Sequence, residues 1–339
     1  MSNAGTNHLV LWATHYAQFL PTRADVRILY EKAIKTNNAT AQYLLASHYS
    51  RGDGVQQNWD EAIRWYERSI KQGHVDACIQ LALLYRRVSI KKDSQKEREW
   101  FQKAAIIENP AKQFAQGVCY QNGWGVVQSD EQAFKYYDKA ATEGYAEAQS
   151  SLGWLYLKGK IVSQNYELAY KYYKQAVLQN DANAQFNLGW LYQCGFGVIQ
   201  NYIKAHEWYE KSAAQGNAYA QNALGWLYDN GQGVEQDYKR AREWYEKAAS
   251  QGDASAQCAL GYIYKDGKGT LLNYFKAHEW FEKSATQGNS SAQRLLGWIY
   301  EHALGVLRNY NKAREWYKKA AAQGDTWARY NLETLGVRE

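Results

Sequence analysis

Between Asn217 and Gly252 the chain reads NAYAQNALGWLYDNGQGVEQDYKRAREWYEKAASQG, and its apolar residues fall into two periodic sets. In the first, Ala220, Leu224, Leu227 and Tyr228 lie three or four apart, which puts them on one face of a helix over Ala218 to Asp229. In the second, Tyr238, Ala241, Trp244, Tyr245, Ala248 and Ala249 keep that spacing, with Glu243 and Lys247 four apart on the wet side. Between the sets, Gly231-Gln-Gly233-Val234 offers two residues that take positive φ at little cost and one aliphatic side chain to tuck under a turn. Asp237 is placed to cap the second helix, and Gly252 to end it in a left-handed conformation. The unit therefore reads as a hairpin of helix A and helix B. Gly225 and Ala248-Ala249 leave room for close approach, Leu224, Tyr228 and Tyr245 fill the space around them, and the Trp244-Tyr245 pair is expected in the core.

One hairpin cannot bury its own apolar stripe and needs copies on either side. The chain supplies them. Repeats are read at 39–74, 75–108, 109–144, 145–180, 181–216, 217–252, 253–288 and 289–324, with an N-terminal cap over 1–38 and a C-terminal capping helix over 325–339. Asp181, Asn217, Asp253 and Asn289 open the last four repeats as N-caps at an interval of 36. Three repeats depart from the turn pattern. The second reads Arg86-Arg-Val-Ser-Ile-Lys-Lys where the others carry glycines, so that a bend in the array or an outreaching loop is expected there; the fourth has Ile161 for the second turn glycine, and the eighth has Ala303 for a turn glycine.

The 339 residues hold two prolines and no linker rich in Pro, Gly or Ser, which favours one continuous repeat body over separate domains. No apolar run is long enough to cross a bilayer and no secretory signal is visible. Met1-Ser-Asn-Ala has the look of residues left by a vector, so a leader could have been removed, and the compartment reads as cytoplasmic or periplasmic. The net charge of +6 comes from Lys and Arg alternating with Glu on helix B, a solvated surface and not a phosphate-binding stripe, which argues against nucleic acid. Cys78, Cys119, Cys194 and Cys258 fall at different places in their repeats, and read as free thiols filling the core. His206 and His278 both precede Glu-Trp, but Arg242 and Arg314 hold the same place, so the position asks only for something basic and exposed. No metal site, cofactor site or catalytic motif is expected.

The pattern Ala-x-Ala-Gln-x-x-Leu-Gly-x-Leu-Tyr, then Gly-x-Gly-Val, then Tyr-x-x-Ala-x-x-Trp-Tyr-x-x-Ala-Ala-x-Gln-Gly resembles the Sel-one-like repeat, a relative of the tetratricopeptide repeat. The resemblance covers nearly the whole chain. It implies an all-α, right-handed superhelical α/α solenoid of about eight 36-residue hairpins with capping helices. It also implies a non-catalytic adaptor, common in bacteria, that binds a protein or peptide and is compatible with a monomer. The family also includes immunity proteins that neutralise a secreted effector, and a binder or hydrolase of envelope glycan is a third possibility. A cysteine-rich branch pairs a cysteine in each unit; this chain has no such pairs.

In a stack of this kind helix A lines the inner wall. The place between Gly and Leu-Tyr holds Trp154, Trp190, Trp226, Tyr262 and Trp298 in repeats four to eight, but Ser47, Leu83 and Val118 in the first three. Residues four and seven earlier share that face: Ser150 and Glu147, Phe186 and Asn183, Asn222 and Tyr219, Cys258 and Ser255, Arg294 and Ser291. Phe186, Tyr219, Asn222 and Arg294 join the aromatics as a candidate ladder, because Trp, Tyr and Arg dominate interface energetics. An extended peptide or a partner helix could stack on it. The alternative is that these rings pack on helix B of their own or the next repeat.

Overall fold

The computed structural model describes residues 24–87, 93–106 and 111–335, and they fold into α-helices with no strand among them. The expected apolar entry segment before Ala24, most of the glycine-free loop of the second repeat and Pro110 lie outside the described residues. Contacts divide the chain into two units, one of Met1–Asp181 with Ala214–Gly216, the other of Ala182–Ala213 with Asn217–Glu339.

The N-terminal unit runs α1 (Ala24–Lys35), α2 (Ala39–Arg51), α3 (Trp59–Ile70), α4 (Val75–Arg87), α5 (Ser94–Ile106), α6 (Lys112–Asn122), α7 (Asp130–Thr142), α8 (Ala146–Lys158) and α9 (Tyr166–Ala176). The C-terminal unit runs α10 (Ala182–Cys194), α11 (Tyr202–Ala214), α12 (Ala218–Asn230), α13 (Tyr238–Ser250), α14 (Ala254–Asp266), α15 (Tyr274–Thr286), α16 (Ser290–His302), α17 (Tyr310–Ala322) and α18 (Thr326–Leu335). Helices α2, α4, α6, α8, α10, α12, α14 and α16 are the A helices of the hairpins, and each is followed by its B helix. The fold class is an α/α solenoid of consecutive hairpins, and within each unit the contacts run chiefly between helices that follow one another in the chain.

Local signals account for the helix ends. Asp237 accepts from the backbone N–H groups of Lys239 and Arg240 at 2.9 and 3.0 Å, and Asn217, Asp253 and Asn289 cap their A helices in the same manner. At the A–B turn the first glycine takes φ near +65°, and Ala303 takes φ 58° in its place, a strained conformation for a residue with a Cβ. Ile161 is not among the residues with positive φ, so the fourth turn is built differently.

Two devices hold neighbouring helices together. Gly225 faces the ring of Tyr245, and an added Cβ would stand 2.6 Å from it; Gly189 with Tyr209, Gly297 with Tyr317 and, in the N-terminal unit, Gly117 with Tyr137 repeat the arrangement. The second device is the glutamine of Ala-x-Ala-Gln. Gln257, nearly buried, donates to the carbonyl of Ala249 on the preceding B helix at 3.3 Å and accepts at 2.8 Å from Gln287 at the end of its own B helix. Gln221 with Gln251 and Gln293 with Gln323 do the same. Three helices are thereby joined through one buried amide that would otherwise be costly.

The Trp-Tyr pair is not wholly core. Tyr245 is buried, but Trp244 is half-buried, with the Lys247 ammonium 3.9 Å from its ring centroid. Trp208, Trp280 and Trp316 are covered by Lys211, Lys283 and Lys319 in the same way. In these four repeats the tyrosine or phenylalanine takes the inward place and the tryptophan is shielded by a cation three residues on, whereas in the first repeat Trp65 and Tyr66 are both buried.

Candidate partner-binding face

On α12 the ladder residues lie on the side of helix A that the core does not use. On α12, Ala220, Gln221, Leu224, Gly225, Leu227 and Tyr228 are buried, whereas Tyr219 is 62% and Trp226 37% exposed, with half-buried Asn222 between them. Positions 219, 222 and 226 are three and four apart and share one face. Trp190, Tyr262 and Trp298 are half-buried, and none of the five ladder aromatics is buried. Trp154, 37% exposed, occupies the same place on α8 of the N-terminal unit.

The rungs touch their neighbours. Phe186 lies 5.7 Å from Tyr209 and 5.8 Å from Tyr219, linking two successive repeats. Trp190 meets Phe196 at 5.3 Å and Trp226 meets Tyr202 at 6.4 Å. Tyr262 stands edge-on to Phe281, and the Lys265 ammonium lies 5.8 Å from both the Tyr262 and the Trp298 rings. The packing of Tyr262 and Trp298 against the core accounts for their lower exposure. Arg294 is tied down: its Nε donates to Asp325 Oδ2 at 3.2 Å, and the other oxygen of Asp325 caps α18. Cys258 and Ser150 do not form rungs, because both are buried.

Sequence reasoning missed Phe196 and Lys265. Lys265 had a signal, since it follows Tyr262 by three residues on the same helix face; Phe196 sits in the turn, where helical spacing says nothing. The histidine position is also different from expectation. His206 and His278 are half-buried, and their Nε2 atoms meet the hydroxyls of Tyr228 and Tyr300 at 3.2 and 3.0 Å. Burial lowers the pKa of His278 below the usual histidine value. The position asks for a polar group that can reach the next A helix.

The corresponding side of the N-terminal unit has another character. Tyr43 stacks on His74 at 4.6 Å, Tyr145 donates to Asp76 at 3.5 Å, and Gln80 of the second repeat donates to Glu147 of the fourth at 2.6 Å. Burial and the nearby Asp181 carboxylate push the Glu147 carboxyl up to about 7, against the pull of a backbone bond and of Gln80. Glu147 was read as one polar rung among several; its bond to a residue 67 positions earlier has no local signature.

The free thiols of Cys78, Cys119 and Cys258 are buried, and burial pushes them up to about 11, 11 and 12, which makes them poor nucleophiles at neutral pH. Among the described residues no three His, Cys, Asp or Glu side chains are grouped as metal ligands, and no helix is long and apolar enough to cross a membrane.

Stacked helical hairpins, two of whose A helices leave a tryptophan exposed at the same place (Trp154 and Trp226), define a repeat scaffold of the α/α class. The chain belongs to the Sel1 repeat family: its repeat model matches residues 39–74, 75–106, 113–145, 146–181, 182–217, 218–253, 254–289 and 290–325. Among solved structures it is similar to c5321, a protective antigen of uropathogenic Escherichia coli with an SLR fold, at 34% identity over 93% of this chain and 68% of that one, TM-score 0.58. It is also similar to a Sel1 repeat protein of Oxalobacter formigenes, at 31% identity over 92% of this chain and 91% of that one, TM-score 0.61. The immunity protein Pa5087 of Pseudomonas aeruginosa shares 27% identity over 64% of this chain and 82% of that one, at a TM-score of 0.42. No curated protein matches the chain. Sel1-repeat proteins are generally protein-interaction scaffolds.

Proposed function

We propose that this chain is a non-catalytic scaffold that binds a partner protein or peptide on the exposed helix-A face of its C-terminal unit. The observation that carries the reading is the pair Tyr219 and Trp226, two large rings left exposed on one helix whose other side is packed. Asn222 offers amide hydrogen bonding between them, and Trp190, Tyr262, Lys265 and Trp298 extend the same kind of surface along the unit. Rigid aromatics flanked by polar groups are the composition from which interface hot spots are made. Arg294 acts here as a strut for Asp325, and Trp154 is a separate exposed ring on the other unit.

The test is partner capture from extract of the native cell with the full chain and with the Tyr219→Ala/Trp226→Ala variant. The variant is expected to lose the captured protein, with affinity falling roughly thirtyfold or more, and to keep its melting temperature. Undiminished capture together with a lowered melting temperature would assign these rings to packing alone.

A further inference from the structure

The A–B turns of the C-terminal unit carry apolar side chains that pack on nothing. Ile199, Leu271 and Leu307 occupy the same place in three repeats and are 87–90% exposed, and Ile203, Leu272 and Phe275 beside them are more than half exposed. Only the sixth repeat breaks the row, with Glu235. The turns form a continuous edge. Gly233 lies against the backbone of Tyr202 and Ile203, Gly269 against Tyr238 and Lys239, and Gly305 against Tyr274 and Phe275, so each turn sits on the first turn of the preceding B helix. That contact sets the turn that carries Leu307 against the helix turn that carries Phe275.

The same edge is basic. The third residue of each B helix is Lys204, Arg240, Lys276 and Lys312, at intervals of 36, with Lys239, Lys268 and Arg308 alongside, all exposed. None of these four helices has an acidic residue in its first turn. A cation at a helix N-terminus opposes the macrodipole. Tyr192, Tyr228, Tyr264 and Tyr300 each give one of the row a ring at 5.0–5.6 Å, which offsets part of that cost; Arg240 also pairs with the Asp237 carboxylate at 3.5 Å, and all four cations stay exposed.

We infer that this edge docks on an anionic lipid bilayer, the aliphatic turn tips and Phe275 entering the headgroup region while the row of Lys and Arg meets lipid charge. Charge complementarity and composition select this occupant. Lysine with Leu, Ile and Phe is the make-up of an interfacial lipid contact, whereas protein interfaces are depleted in Lys and favour Trp, Tyr and Arg, as on the helix-A face of the same unit. The tips Ile199, Leu271 and Leu307 are 87–90% exposed, one on each turn.

The experiment is flotation of the full chain with vesicles of phosphatidylcholine alone and of phosphatidylcholine mixed with phosphatidylglycerol. Flotation is expected only with the anionic vesicles and should weaken as salt is added. The Leu271→Asp/Leu307→Asp variant should bind at least roughly tenfold more weakly, and each of Lys204→Gln and Lys276→Gln roughly fivefold more weakly. All these positions are exposed, so unchanged melting curves verify folding. Three results would overturn the inference: no flotation with anionic vesicles, flotation that the aspartate variant leaves intact, or concentration-dependent self-association abolished by that variant, which would make a second copy the occupant.

Discussion

The two units are built from one repeat yet treat the first turn of helix B in opposite ways. In the N-terminal unit that turn holds Asp60 and Glu61 on α3, Glu97 on α5, Asp130 and Glu131 on α7, and Glu167 on α9. There the charge matches the helix dipole, and Glu61 and Glu97 are also buried and paired, with Arg64 and Arg86. In the C-terminal unit the same turn holds cations exposed to solvent and no acid. The helix-A faces differ in parallel, polar and acidic around Asp76 and Glu147 in the first unit, aromatic in the second. The repeat's packing residues set the fold of both; the positions it does not need for packing are where they diverge, and those are the positions available for partners.

Reversing the charge at equivalent first-turn sites separates the two designs most sharply. Glu61→Lys should cost about 2 kcal/mol, because it puts an ammonium in a buried place beside Arg64 and at the positive end of α3. Lys276→Glu should stabilise α15 by about 0.5 kcal/mol, since it replaces an exposed cation that opposes the dipole. Urea unfolding of both variants checks this. A loss of stability in Lys276→Glu similar to that in Glu61→Lys would mean that the C-terminal cations serve the fold.

A pH-dependent effect follows from Glu147. Around it stand Asp76, Asp181, Tyr43, Tyr145 and the Gln80 amide, with His74 stacked against Tyr43. Its carboxyl titrates near 7 in the folded chain and near the usual 4.5 when unfolded, so between those values the native state holds a proton that the unfolded chain has released. Stability contributed by this group is therefore complete below about pH 4.5 and is lost as pH rises to 7 and beyond, by up to about 3 kcal/mol. Glu147→Gln should flatten that slope, raising the melting temperature at pH 8 and leaving it unchanged at pH 5. An unaltered slope in the variant would place the titration elsewhere.

How much of this was readable from residues alone follows the range of the interactions. The hairpins, their N-caps and the turn glycines were legible because each depends on neighbours within about four positions, as with Asp237 and its two amides. The exposed side of α12 was legible too, since Leu224 and Tyr228 fix the buried face and leave Tyr219 and Trp226 opposite it. What escaped was contact across repeats. The Gln80–Glu147 bond spans 67 positions and the Arg294–Asp325 pair spans 31, and nothing in helical spacing points to either. The half-buried state of His206 likewise depends on Tyr228, which belongs to the next repeat.

The finest difference concerns one hydroxyl. In three repeats the helix-B tyrosine that faces the helix-A glycine donates its phenol to the residue four past that glycine. Tyr209 donates to Gln193 at 2.6 Å in the C-terminal unit, and Tyr137 to Gln121 at 2.9 Å in the N-terminal one. Tyr173 has Leu157 at that place, and its hydroxyl is buried with no hydrogen-bond partner among the described residues. Where Lys265 stands there, the ring is Phe281 and no hydroxyl needs a partner. Tyr209→Phe should therefore cost about 1 kcal/mol, leaving the Gln193 amide oxygen without its donor, while Tyr173→Phe should be neutral or slightly stabilising because it removes an unmet polar atom. Thermal melts of the two variants decide it: equal losses would show that both hydroxyls are satisfied and that the ring alone does not account for the packing at Gly153.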